Sequence, residues 1–217
     1  MNSTKTRDEK DSLGIKQVPA SCYYGSETAR ALENYPISGL RFHPAFLWAL
    51  AMIKKACARA NMTLKRLDRK KGEAIVKACD EVLEGKLREE FLTDVLQSGA
   101  GVSAHMNMNE VLTNRALELM GFKKGDYESL HSHDDVNMGQ STNDVIPTAI
   151  RLAASKVTRE FAASSRALEK ALSAKAKEFK NVIKAGRTHM QDAAPISLGQ
   201  EFSGWARQLE KGRLRAE

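Results

Sequence analysis

From Asp144 to about Phe179 the chain contains no glycine and a single proline, Pro147, while apolar residues recur at three- and four-residue steps. Proline is tolerated in the first turn of a helix, so this spacing predicts one continuous helix of about 35 residues, roughly 50 Å long. An ordinary globular helix has about 11 residues, and one three times longer needs neighbours along its whole length. A second long helical pattern opens after Pro195, runs through Phe202, Trp205 and Leu209, and reaches Glu217 without a cap or polar tail. Joined by Asn181 to Pro195, these two helices cannot bury all their faces on each other. Further helices, partner subunits or both are therefore expected to cover them.

The upstream half reads as shorter helices. Phe46, Leu47, Leu50, Ile53, Cys57 and Ala60 form one apolar stripe after Pro44, and the chain is expected to turn between Met62 and Leu67. Asp68 is placed to cap a second helix with Ile75, Val76, Cys79, Val82 and Leu83 as its stripe and Gly85 as its stop. A third is expected from about Met106 to Met120, ended by Gly121. Between Gly14 and Phe42, Pro19, Gly25, Pro36 and Gly39 punctuate a segment read as an irregular cap of turns and short extended pieces. The expected fold class is all-α, with low aromatic content (6%) in keeping.

Net charge is +7, with 34 Lys and Arg against 27 Asp and Glu. The densest basic run, Lys65-Arg66 to Lys70-Lys71, has no interleaved aromatics. It is read as a solvated helix surface, so no nucleic-acid partner is expected. Three widely spaced cysteines, Cys22, Cys57 and Cys79, suggest neither a disulfide framework nor a zinc site, and Cys57 and Cys79 fit as small core residues. Met1 to Asp11 lacks the apolar region of a signal peptide, and no run approaches a membrane span. A cytoplasmic setting with no membrane partner is the expectation.

Three polar segments carry the chemistry: His131 to Asp144, whose head and tail read differently, Gly186 to Asp192, and Ser98 to Ser103. In His131-Ser132-His133-Asp134, the two histidines nominally suit a metal, but no further zinc motif accompanies them. A loop satisfied by its own Asp side chains is the competing reading, and no metal is expected. Gln140-Ser141-Thr142-Asn143-Asp144 lies directly before the long helix: Ser141 or Thr142 would serve as N-cap, yet the cluster exceeds what capping needs. Helix-terminal amides with hydroxyl and carboxamide donors make a seat for a carboxylate or phosphate. Thr188-His189 follows the same helix, and Ser98 to Ser103 is a glycine-rich segment ahead of Met106-Asn-Met-Asn-Glu110.

Taken in order, these segments resemble the aspartase/fumarase superfamily. The residues that carry the likeness are Gly99-Ala-Gly101, Met106-Asn-Met-Asn-Glu-Val111 and Asn114-Arg-Ala116; Asp135-Val-Asn137 and Gln140-Ser-Thr-Asn-Asp144; and Gly186-Arg-Thr-His189, Gln191-Asp192 and Leu198-Gly-Gln-Glu-Phe202. Val18-Pro19, Tyr23-Tyr-Gly25 and Ala31-Leu-Glu-Asn34 also match, so the likeness covers most of the chain. Gly-Ala-Gly, Gln-Ser-Thr-Asn-Asp and Ala-Leu-Glu-Asn-Tyr-Pro look more like the aspartate ammonia-lyase branch than class II fumarase.

The resemblance implies a helical N-terminal lyase domain over residues 1–140, followed by the first part of a central helix bundle over 141–217. It implies a homotetramer whose active sites each draw on three subunits. The implied reaction is reversible elimination of ammonia from L-aspartate to fumarate, without a cofactor; malate/fumarate hydration and a non-catalytic assembly role are the alternatives. Ser141, Thr142, Asn143 and Thr188 match substrate-binding positions, and His189 matches a histidine that orients or protonates the leaving-group side. His131, Ser132, His133 and Asp134 match a region associated with a second anion site in fumarases. Two residues depart from the pattern: Val102 stands where a threonine is usual, removing a substrate-binding hydroxyl, and His105 stands for an asparagine, adding a potential charge. The family's serine-base loop is absent from these 217 residues, so this chain alone is expected to be inactive.

Overall fold

The computed structural model describes residues 5–217, which form two compact units, one ending at Ala153 and one beginning at Ala154. The reading of Met1 to Asp11 therefore falls partly outside the described residues. No described helix is long and apolar enough to cross a membrane.

The first unit opens with an antiparallel hairpin, β1 (Thr6–Asp11) and β2 (Gly14–Pro19), paired from Thr6↔Pro19 to Asp11↔Gly14. Helices follow: α1 (Ser26–Asn34), α2 (Pro44–Thr63), α3 (Arg69–Leu83) and α4 (Val102–Leu119), then the first part of α5 (Thr142–Glu178). Pro44 occupies the first turn of α2, and Asp68 caps α3 by accepting from the Lys71 amide. The core lies between α2, α3 and α4. Leu50, Ile75, Cys79, Met108, Val111, Leu112 and Leu117 are all fully buried there.

Helix α4 is buried on every side from Ser103 to Asn114, polar residues included. One of them anchors α1. The residue preceding α1 is Gly25, which has no side chain to cap the helix. The Glu110 carboxylate of α4 instead accepts from the amides of Gly25, Glu27 and Thr28 at 2.8–3.0 Å and from the Thr28 hydroxyl at 2.6 Å. Glu9 of β1 takes the Ser26 amide. A Cβ at Gly25 would stand 2.7 Å from both Glu110 Oε1 and the Tyr127 hydroxyl, closer than real atoms pack, so the missing side chain admits the carboxylate. Burial pushes Glu110 up to about 7, against four donors that favour its charged form.

The second unit holds the rest of α5, a hairpin of β3 (Ile183–Thr188) and β4 (Gln191–Ser197), and α6 (Leu198–Ala216). Phe179 packs on Phe202, and Phe202 on Trp205, while Arg213 and Arg166 reach Glu169 and Glu217 between α5 and α6. Ser197 and Gln200 form a capping box at the start of α6. Val157, Phe161, Leu168, Trp205 and Leu214 remain exposed on these helices.

Helices dominate as expected, but two hairpins qualify the all-α reading. Thr6–Asp11 is too charged to show a clear alternating stripe, and Ile183–Ser197 lies among loop-forming residues. The segment read as an irregular cap contains β2 and α1. Helix α1 follows a glycine, and the acceptors for its first amides, Glu110 and Glu9, lie far away in the chain, so no local cap marks it. Helix α4 starts four residues before the expected Met106.

Candidate active site

The glycine-rich segment delivers the start of α4. Gly101 precedes the helix at φ +85°, and a Cβ there would stand 3.1 Å from the Ile146 side chain of α5. Backbone conformation and close approach both favour glycine. Val102, the first residue of α4, is exposed, whereas His105 one turn later is fully buried. The His105 Nδ1 lies 2.8 Å from Thr142 Oγ1, so the first turns of α4 and α5 are tied side chain to side chain.

Behind this contact lies Lys54 of α2, also fully buried. Its Nζ is 2.7 Å from His105 Nε2 and donates to Asn137 Oδ1 and Gln140 Oε1, both at 2.8 Å. The two amides are oriented by their other ends: Asn137 Nδ2 donates to the Gln140 carbonyl and Gln140 Nε2 to the Val136 carbonyl, each at 3.0 Å. Their oxygens therefore face Lys54. Burial pulls Lys54 down to about 7. Burial, followed by the neighbouring Lys54 charge, pulls His105 down to about 3. His105 is thus a neutral imidazole and does not add the charge expected from the sequence.

At the start of α5 the Ser141 carbonyl accepts from the amides of Asp144 and Val145, and its Oγ accepts from the Asn143 amide at 3.2 Å. Ser141 is therefore the N-cap, and Thr142 the first helical residue. Ser141 and Asn143 are exposed and Thr142 is half-buried. This helix end contributes partial positive charge from its dipole, as does the nearby start of α4. With Lys54 underneath, the surface presents hydroxyl and carboxamide groups over a positive background, a setting suited to a carboxylate.

Thr188 and His189 belong to the second unit. Thr188 pairs with Gln191 across the β3–β4 hairpin, and His189 and Met190 form its two-residue turn at φ +51° and +58°. Two successive left-handed residues make a tight hairpin turn that normally favours Asn-Gly. His189 is thus held, exposed, at a hairpin tip in a backbone region costly for its residue type.

The segment at His131 is a single π-helical turn over Ser132–Val136. His131 Nδ1 accepts from the amides of His133 and Asp134 at 3.3 Å, and the Asp135 carboxylate accepts the His131 amide and binds Lys71. His133 Nε2 meets Glu27 Oε1 at 2.5 Å, which raises the imidazole's pKa. Among the described residues, no group of three or more His, Cys, Asp and Glu side chains is arranged to hold a metal. An adjacent cavity of about 730 Å³ is lined by His131 and His133 but also by Asp8, Glu9, Glu27 and Glu110. Within this chain that acidic wall opposes an anion.

The sequence reading passed over Lys54 and, though Asn137 and Gln140 lie in segments that carry the family likeness, gave neither a role. Lys54 carried a usable signal: with Leu47, Ala51 and Ala58 it falls at helical spacing on the buried face of α2. A lysine at a core position needs a reason.

The family model described as Lyase matches residues 14–217. Aspartate ammonia-lyase from Bacillus subtilis (strain 168) is 53% identical over 205 residues, 94% of this chain and 43% of that protein. Class II fumarate hydratase from Halobacterium salinarum is 49% identical over 212 residues, 97% of this chain and 45% of that protein. The solved structure of fumarate lyase:delta crystallin from Brucella melitensis in native form matches at TM-score 0.89 and 49% identity, over 97% of this chain and 50% of that one. Class II fumarase from Schistosoma mansoni matches at TM-score 0.84 and 42% identity, over 96% and 44%. The chain therefore spans about half the length of these relatives and shares their predominantly helical fold. A family match across nearly all its residues, with relatives about half identical, establishes that the chain belongs to the aspartase/fumarase lyase family.

Proposed function

We propose that the whole protein, of which this chain spans about half its relatives' length, eliminates a leaving group reversibly from a four-carbon dicarboxylate to give fumarate. The observation that carries this reading is the clustering of Ser141, Thr142 and Asn143 on the first turn of α5, with Thr142 tied to buried His105. Abstracting a proton from the carbon beside a carboxylate creates an aci-carboxylate dianion, and preorganised donors over a positive background stabilise it. In this reading Ser141, Thr142, Asn143 and Thr188 bind the substrate carboxylates, and His189 orients or protonates the leaving-group side. Val102, exposed at the start of α4, presents a methyl group where a hydroxyl would add a further bond. No resident cofactor is invoked.

The leaving group has two readings. Ammonia, from L-aspartate, draws support from the 53% identity to an aspartate ammonia-lyase and from the Gly-Ala-Gly and Gln-Ser-Thr-Asn-Asp forms. Water, from malate, draws at least equal support from the near-equal identity to class II fumarate hydratases and from the solved fumarase. The exposed apolar residues of α5 and α6 support burial against other copies of the chain, in a homotetramer with shared active sites.

Fumarate absorbance with the full-length protein decides among these readings. Fumarate from aspartate selects the ammonia-lyase, fumarate from malate selects the hydratase, and neither product points to an assembly role. The 217-residue chain alone is expected to give no product.

A further inference from the structure

We propose that Lys54 and His105 form a relay that sets the direction of the Thr142 hydroxyl, making Lys54 and His105 positioning residues for carboxylate binding. The inference deepens the function proposed above, since Thr142 serves there as a substrate donor.

The geometry fixes each hydrogen in turn. The amide oxygens of Asn137 and Gln140 face Lys54 because their nitrogens are committed to backbone carbonyls. An ammonium at Lys54 has three hydrogens and three partners: these two oxygens and His105 Nε2. Nε2 must then accept, which places the imidazole hydrogen on Nδ1. Nδ1–H donates to Thr142 Oγ1 at 2.8 Å, so the hydroxyl oxygen is the acceptor inside. The hydroxyl hydrogen is left to point away from His105, available to a carboxylate.

A neutral Lys54 reverses the chain. Loss of one proton to solvent leaves two hydrogens for the amide oxygens and a lone pair that accepts from His105 Nε2–H. Nδ1 then accepts from Thr142, and the outward donor is lost. Cys57 of α2 and Cys79 of α3 act on Lys54, His133 of the π-helical turn acts on His105, and Asp144 of α5 acts on Cys57; burial raises both thiols and keeps them neutral. A bound dicarboxylate favours the charged lysine and so favours the outward hydroxyl.

The test uses the full-length protein with ¹⁵N-labelled histidine. Nitrogen–proton correlation spectra report which ring nitrogen of His105 carries the proton. Below neutrality the expected form is Nδ1–H, changing to Nε2–H in Lys54→Met. Nε2–H or imidazolium in the wild type, or an unchanged Nδ1–H in Lys54→Met, overturns the relay. Succinate affinity supplies a second reading. His105→Asn retains a donor near the Nδ1 position, whereas His105→Gln retains only the acceptor side, so the Gln variant is expected to bind succinate about tenfold or more weakly than the Asn variant. Equal affinities overturn the proposal. If the wild type does not bind succinate, the proposed function fails, and the tautomer alone decides the relay; it does the same if either variant fails to fold.

Discussion

Lys54 Nζ and His105 Nε2 stand 2.7 Å apart, two basic side chains in direct contact where neither has measurable exposure. The lysine's remaining partners are neutral amide oxygens, so burial is not offset by an opposite charge and pulls its pKa from 10.5 to about 7.

This shift has a definite sign in stability. Between about 7 and 10.5 the unfolded lysine holds a proton that the folded one has released, so unfolding takes up a proton and raising the pH favours the folded state. Below about 7 the cost of the buried charge is fully present. Denaturant unfolding of wild type and Lys54→Met across this range is expected to show a stability difference that grows in favour of the wild type as pH rises. A pH-independent difference would contradict it.

Glu110 is the acceptor for the first turn of α1. Glu110→Ala strands three amides and the Thr28 hydroxyl, and is expected to cost about 2–4 kcal/mol, with water entering to limit the loss. Hydrogen exchange should locate the damage, with α1 amides losing protection before those of α3.

Val102 is exposed at the first position of α4, so a hydroxyl there disturbs no packing. Val102→Thr is expected to leave stability within about 0.5 kcal/mol and, under the proposed function, to lower KM for a dicarboxylate in the full-length protein by roughly threefold to tenfold. Steady-state kinetics with aspartate and malate, beside a melting curve, checks both halves.

Met190 is almost fully exposed and left-handed at φ +58°. Met190→Gly relieves that conformation and is expected to stabilise the β3–β4 hairpin by about 1 kcal/mol. Slower amide exchange at Thr188 and Gln191 is the expected readout.

Wherever structure follows from local spacing, the sequence was readable. The long α5, the Asp68 cap of α3 and the proline-led α2 all rest on neighbours within a turn or two. The start of α5 was legible for the same reason, though only the folded geometry, with the Asn143 amide on Ser141 Oγ, distinguishes Ser141 from Thr142 as the cap. Helix α1 and β1 were missed because their determinants are remote or masked by charge. Glu110, 82 to 85 residues away, caps the one, and pairing with β2 defines the other.

The sequence by itself determined the family, the dominance of helices and the donor cluster at Ser141 to Asn143. Periodicity, capping and residue order are properties of contiguous chain. Only the tertiary structure decided that Lys54 is a core residue, that His105 is neutral, and that both stand behind Thr142. Protonation depends on desolvation and on partners drawn from four separate segments, and those partners meet only when α2, α4 and α5 pack together.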